Sequence, residues 1–459
     1  MYVQQIYTGC LAQAAYYVES DGEAAIIDPL RDTQVYLDIA NARKAKIKYI
    51  FETHFHADFV SGHIDLIKKT GAKVVYGPQS QAGYEIIVGA DGQEFQLGKC
   101  KIQLIHTPGH TIESSCFLLK DESGKATSLF SGDTLFVGEV GRVDLAAKHY
   151  LTKEELASML FDSLEKLKKL SDEVVVYPGH GAGSACGKNI GKESTSTIGK
   201  ERKGNYALQP MSREEFVKIM VTGLETPPQY FFTDAVINRK GYEGDLESLM
   251  GRNVHPLDVN AFKKELAAGT VILDTRTADD FSKEHIPGTI NIGLGGQFAI
   301  WTGTLYGKVP FVLVCDEGKE NEAVMRLARV GYDDVRGFLK GGIKAWKDAG
   351  NTVQSVENIS AEEFIKHIGK DKVIDVRNDG EMANGMVRDA LAMPLATLSK
   401  RLNELDKKEH YYVHCAGGYR SMIALSILQK EGFTNLTNVI GGSAAMVKAG
   451  IKLEVPEEA

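Results

Sequence analysis

Eleven residues, Thr53-His54-Phe55-His56-Ala57-Asp58-Phe59-Val60-Ser61-Gly62-His63, contain three histidines and an aspartate. Imidazole nitrogens and a carboxylate brought to one point suit a first-row metal ion. A different chemistry stands far downstream, in Cys415-Ala416-Gly417-Gly418-Tyr419-Arg420-Ser421. There a thiol follows the apolar run Tyr411 to His414 and precedes the helical run Met422 to Lys430. Backbone N–H groups of a glycine-rich turn and a positive helix terminus stabilise a thiolate and any bound anion. Arg420 adds a full positive charge.

Elements must deliver these groups. The run Ile47 to Phe51 reads as a buried strand, and Gly62 with the small Ala57 and Ser61 lets the chain turn after it. The same device recurs three times. Ile102 to His106 is a strand followed by Thr107-Pro108-Gly109-His110. Leu129-Phe130-Ser131-Gly132 delivers Asp133, and Val174 to Tyr177 followed by Pro178-Gly179 delivers His180. Four β-like runs, each ending in a turn that presents a ligand-type side chain, predict one shared site. Between them the patterns predict a helix over Val35 to Lys44, a helix from near Ser61 to Thr70 stopped by Gly71, and a strand over Lys73 to Tyr76. Ser212 with Glu215 forms a capping box that starts a helix over Met211 to Met220. Ala182 to Asn205, rich in Gly, Ser, Thr and Lys, reads as a loop. It carries Cys186 just beyond His180, either as a bystander or as a place to park sulfur near the metal.

The second half repeats itself. Val271-Ile272-Leu273-Asp274-Thr275-Arg276 matches Val373-Ile374-Asp375-Val376-Arg377, and Phe311 to Cys315 matches Tyr411 to Cys415. Cys315 to Cys415 and Gly341 to Gly441 share an offset of about 100 residues. Two βα copies with mostly parallel sheets follow, joined by linkers near Gly241 to His255 and Asn351 to Ile359. Copy one reads Cys315-Asp316-Glu317-Gly318-Lys319-Glu320 where copy two has its cradle. Three acids beside the thiol raise its pKa and repel anions, so copy one is expected to be inactive.

The totals agree with about three domains in 459 residues. The net charge of −8 argues against nucleic-acid binding, and no apolar run approaches the ~18 residues of a membrane span. The six cysteines form no CxxC pair, and the N-terminus lacks a basic segment before an apolar core. A cytoplasmic, reduced protein with no membrane partner is expected.

The motifs His54-Phe55-His56-Ala57-Asp58, Thr107-Pro108-Gly109-His110, Ser131-Gly132-Asp133 and Pro178-Gly179-His180 resemble the metallo-β-lactamase superfamily. The resemblance implies an αββα sandwich over 1–245 with metal ligands on loops along one edge. Phe59 stands where the family's hydrolases carry the histidine of a second metal site. That departure looks like the persulfide dioxygenase branch, which implies one Fe(II) per chain on His54, His110 and Asp133. His56, Asp58 and His180 then hydrogen-bond ligands or substrate, His63 is structural, and Arg142 with Asp144 braces the site. The Cys415 loop resembles the rhodanese pattern, which implies a rhodanese-like domain over 255–352 and an active one over 358–455. Cys415 becomes the sulfur acceptor, Ala416, Gly417, Gly418, Tyr419 and Arg420 the anion cradle, and Asp375 with Arg377 a structural brace.

Together these imply a bifunctional enzyme of sulfide detoxification. It would oxidise a thiol persulfide with O2 to sulfite and thiol, and move sulfane sulfur among persulfide, sulfite and thiosulfate. Glutathione, coenzyme A and other small thiols all fit as carrier, and self-association is expected. A glyoxalase-II-like thioester hydrolase fused to a sulfurtransferase, and a non-enzymatic persulfide-sensing scaffold, are the competing readings.

Overall fold

The computed structural model describes residues 1–147, 151–224 and 226–455. They form two compact units. The first holds Met1–Leu249 and the short segment Ala328–Gly331, and the second holds the rest from Met250 onward.

The first unit contains two six-stranded sheets among its described residues. One runs in the order Tyr2–Thr8, Gln13–Ser20, Glu23–Ile27, Lys46–Phe51, Lys73–Tyr76, Ile87–Val88. The other runs Ser196–Thr197, Val175–Pro178, Ala126–Gly132, Ser115–Lys120, Cys100–His106, Glu94–Leu97. Side chains alternate between faces of a strand, so each strand here feeds two cores. Ala14, Tyr16 and Val18 of the first sheet meet Phe117, Leu119 and Phe130 of the second in the layer between sheets. Ala15 and Tyr17 face the other way, onto Tyr36 and Ala40 of helix Gln34–Arg43. Cys116 and Leu118 likewise turn outward onto helix Lys153–Leu167, which presents Leu156, Leu160 and Leu164 at i, i+4 spacing. Thr152 and Glu155 cap that helix reciprocally. The result is helix, sheet, sheet, helix. No helix among the described residues is long and apolar enough to cross a membrane.

The second unit contains the two repeats, each a five-stranded parallel sheet with the same strand order. Copy one runs Pro256–Leu257, Val335–Leu339, Phe311–Val314, Val271–Asp274, Ile290–Asn291. Copy two runs Glu357–Ile359, Leu436–Val439, Tyr411–His414, Lys372–Asp375, Leu391–Ala392.

Three local readings need correction. Ala182 to Asn205 is not wholly a loop: Ser196–Thr197 pairs with Val175–Pro178, and Thr197 caps helix Ile198–Gly204, whose Ile198 is buried in the outer core. Both linkers also contain structure, helix Leu246–Asn253 in the first and strand Glu357–Ile359 in the second. The helix read as starting near Ser61 begins at His63, because Ser61 is spent elsewhere: its N–H bonds Asn238 and its hydroxyl bonds Glu52.

Candidate functional site

All four strand-end turns converge in the first unit. One ligand-type atom from each of His54, His110 and Asp133 lies within 4.8 Å of the others, and all three residues are buried. Gly132 adopts φ +49° to swing Asp133 off its strand, a conformation glycine takes at little cost.

Backbone and hydroxyl partners set the histidine tautomers. His110 Nδ1 donates to the carbonyl of Arg142 at 2.7 Å, and His180 Nδ1 to that of Ala12 at 3.2 Å. Thr53 Oγ1 donates to Asp28 and so accepts from His54 Nδ1 at 2.9 Å. In each case the engaged Nδ1 leaves Nε2 as the nitrogen that can turn to a metal. Burial, then the neighbouring His56, His110 and His180, push His54 well below the usual histidine range, keeping it neutral. Both Asp133 oxygens, Asp58 Oδ1 and His180 Nε2 are buried without a hydrogen bond. Orphaned buried acceptors beside imidazoles whose Nδ1 positions are already engaged fit a bound cation, and the donor set fits a first-row metal.

The other candidates surround this trio. His56 Nε2 sits 3.0 Å from Asp28 and 3.3 Å from Glu52. Burial opposes charge on that ring, but the two carboxylates outweigh it and raise His56 well above its usual range. Phe59 is buried and stacks on His56 with ring centroids 4.2 Å apart. His63 packs against Tyr84 and faces Glu52 at 3.4 Å, a wholly internal position. Arg142 pairs bidentately with Asp144 at 2.7 Å and holds the Cys186 loop, its N–H donating to Cys186 O and its Nη1 to Ala185 O. Cys186 is buried and forms a second group with Asp58 and His180, again within 4.8 Å. Burial, with Asp58 and Asp133 nearby, raises its thiol pKa well above normal.

Three supporting residues escaped sequence reading. Asp28 stands just past a strand end, the same signal that marked Asp133, and could have been found. Glu52 directly precedes the histidine motif. Asn238 gave no signal: it lies on helix Tyr230–Lys240, yet its amide donates to the carbonyls of His56 and Phe59, both at 2.7 Å, and accepts from Ser61 N–H.

In the second unit Cys415 is buried at the end of strand Tyr411–His414. Gly418, at φ +102°, donates its N–H to Cys415 Sγ at 3.0 Å, and helix Tyr419–Lys430 starts there. Ala416 and Gly417 complete the turn. Ala416 O accepts from Ala444, and Cys415 O from Ser443 at 2.7 Å. Arg420 lines the cavity at Cys415, and Glu381 holds it through two bonds of 2.5 and 2.8 Å. Asp375 and Arg377 brace the copy bidentately, as expected.

Known proteins share these parts. The profile of the metallo-beta-lactamase superfamily matches residues 8–83 and 90–180, and that of the rhodanese-like domain matches 258–349 and 360–449. A crystal structure of a metallo-beta-lactamase from Staphylococcus aureus subsp. aureus COL is 33% identical, covers 73% of this chain and 98% of its own, and has a TM-score of 0.68. The chain belongs to the metallo-beta-lactamase superfamily. Its superfamily domain is N-terminal and two rhodanese-like domains follow. A hydroxyacylglutathione hydrolase from Rhizobium etli is 34% identical over 163 residues, 35% of this chain and 57% of that protein. The chain thus spans little more than half the length of that relative. ETHE1 from Myxococcus xanthus is 28% identical, covering 52% of this chain and 98% of its own at a TM-score of 0.45.

Proposed function

We propose that the chain is a cytoplasmic, bifunctional enzyme of sulfide oxidation, with one Fe(II) held by His54, His110 and Asp133. The N-terminal domain carries out R–S–SH + O2 + H2O → RSH + sulfite + 2 H⁺. Cys415 moves sulfane sulfur between persulfide and sulfite or thiosulfate. The observation that carries this reading is the buried trio of two histidines and one carboxylate, with Phe59 stacked on His56 where a further ligand could have stood. Bound there, Fe(II) supplies the redox chemistry with O2. The protein's own part is positioning. Arg142 O and Thr53 aim the imidazoles, Asp28 and Glu52 hold His56 by its Nε2, and Asn238 fixes the loop from His56 to Ser61. Joining the two domains in one chain raises the effective concentration at which sulfite meets a persulfide-loaded Cys415. Six free cysteines among the described residues support a reducing compartment.

The test is metal analysis with O2 uptake across persulfides of glutathione, coenzyme A and cysteine. One iron per chain, and one sulfite formed per O2 whether free or carried on into thiosulfate, is the expected result. Zinc alone with no O2 uptake overturns it. One observation favours a second reading. Cys186 gives Asp58 and His180 a third donor, so the second metal position that Phe59 vacates is not bare. A two-metal thioester hydrolase, the reading that the likeness to hydroxyacylglutathione hydrolases supports, would use it. Two metals per chain and anaerobic cleavage of a glutathione thioester would establish that reading instead.

A further inference from the structure

Beside Cys415 lies a cavity of about 320 Å³ lined by Asn378, Gly417, Tyr419 and Arg420 from copy two and by Gln297 and Trp301 from copy one. Small-molecule pockets begin at roughly 300 Å³. Sulfite and thiosulfate, with four and five heavy atoms, would leave most of this space empty. The one guanidinium facing the cavity is already matched by Glu381, which also accepts from the Asn378 N–H at 3.0 Å. That pairing weakens the hold on a free dianion.

The wall from copy one is fixed in place. Tyr419 donates its hydroxyl to Gly293 O at 2.7 Å. Gly296 packs so closely on the Tyr419 ring that an added Cβ would lie 2.5 Å from it. Asn291 N–H donates to Ser426 Oγ at 3.1 Å. The chain that follows these anchors carries Gln297, at the N-terminal boundary of helix Phe298–Leu305, and Trp301 within that helix.

We propose that copy one completes the Cys415 site, with Trp301 and Gln297 forming the wall that binds the body of an organic thiol persulfide. The proposal rests on reading Cys415 as the sulfur acceptor. Cys415–S⁻ attacks the outer sulfur of R–S–SH, a new S–S bond forms, and the original S–S bond breaks with its electron pair leaving on RS⁻. The products are Cys415–S–SH and RS⁻, with no net redox change. Sulfite then takes the outer sulfur, giving Cys415–S⁻ and thiosulfate with release of the proton. The inactive copy is on this account a specificity element for the active one.

The test uses the full chain without O2, so that persulfide is not oxidised. Loading of the Cys415 peptide by one sulfur is followed by mass spectrometry against concentrations of glutathione persulfide and of thiosulfate. Trp301→Ala is expected to raise the half-saturating concentration of glutathione persulfide about tenfold, the discrimination an apolar wall supplies, and to leave thiosulfate within about twofold. Equal changes with both donors, or none, overturn the proposal. If Trp301→Ala melts early, Gln297→Ala carries the same comparison, with an expected loss of about threefold for the organic donor alone. Failure of the parent reading looks different: wild-type Cys415 would load from neither donor.

Discussion

The two rhodanese-like copies share a scaffold and differ at one loop. Their sheets have the same strand order. Asp274 with Arg276 and Asp375 with Arg377 form the same bidentate brace, and each arginine also donates to a carbonyl further along, Glu284 O and Gly385 O. Gly341-Gly342 and Gly441-Gly442 take the same positive φ angles, 74° and 56° against 72° and 55°. The thiol turns differ. The Cys415 turn, Ala416 to Arg420, carries no acid and one arginine; the Cys315 turn carries Asp316, Glu317 and Glu320. Burial, then Glu320, Asp274 and Asp316, push the Cys315 thiol up to about 12. The brace and the double-glycine turn are therefore common to both copies, and the difference between them is confined to the residues around the thiol.

The largest effect should come from the thiols themselves. Cys415→Ser is expected to lower thiosulfate-to-cyanide sulfur transfer by roughly a thousandfold, while Cys315→Ser leaves it within about twofold. Thiocyanate formation reads both. Comparable losses would mean that copy one is a working transferase and that the comparison drawn from the loops is wrong.

The repeat, the sandwich and the strand-end ligands were legible because each rests on local pattern: apolar runs, Pro-Gly turns and a 100-residue offset. What stayed hidden depends on contacts distant in sequence. Asn238 clamps the His56–Ser61 loop from a helix about 180 residues away, and no spacing rule reaches that far. Cys186 could be placed near the metal only because it follows His180, and its grouping with Asp58 needed the loop to fold back through Arg142. Glu381 is a middle case. It follows Arg377 by four residues, in plain view, but its role appears only when Arg420 is brought across to it. Ser196 to Gly204 was missed for another reason: cap residues and loop residues have the same composition.

A subtler way to sharpen the comparison uses the shared glycines. A Cβ on Gly442 would lie 2.1 Å from Cys415 O, whereas one on Gly342 would lie 3.3 Å from Cys315 O. Both positions carry the same backbone strain of about 1 kcal/mol for alanine. Only Gly442→Ala also has to push the active loop, whose carbonyl accepts from Ser443. Gly442→Ala should cut sulfur transfer about tenfold or more, and Gly342→Ala should change only the melting temperature, by a few degrees. Equal losses of activity would show that the turn is a scaffold feature in both copies and carries nothing specific to Cys415.

The smallest effect concerns the charge around Cys315. A thiol that ionises near pH 12 is about one part in ten thousand thiolate at pH 8, so Cys315 should label very slowly with iodoacetamide in a Cys415→Ser background. The sign of the pH response follows. The folded state holds its proton above the ordinary thiol pKa of about 8.5. Stability from the protonated form is therefore complete below that value and is lost as pH rises toward 12, while the labelling rate climbs about tenfold per unit. Glu320→Gln with Asp316→Asn removes two of the charges but not the burial, which is the larger cause. The double variant should label a few-fold faster at pH 9 and remain well short of an exposed cysteine. A rate equal to that of an exposed cysteine would make the acids, not burial, the main cause of the raised Cys315 pKa.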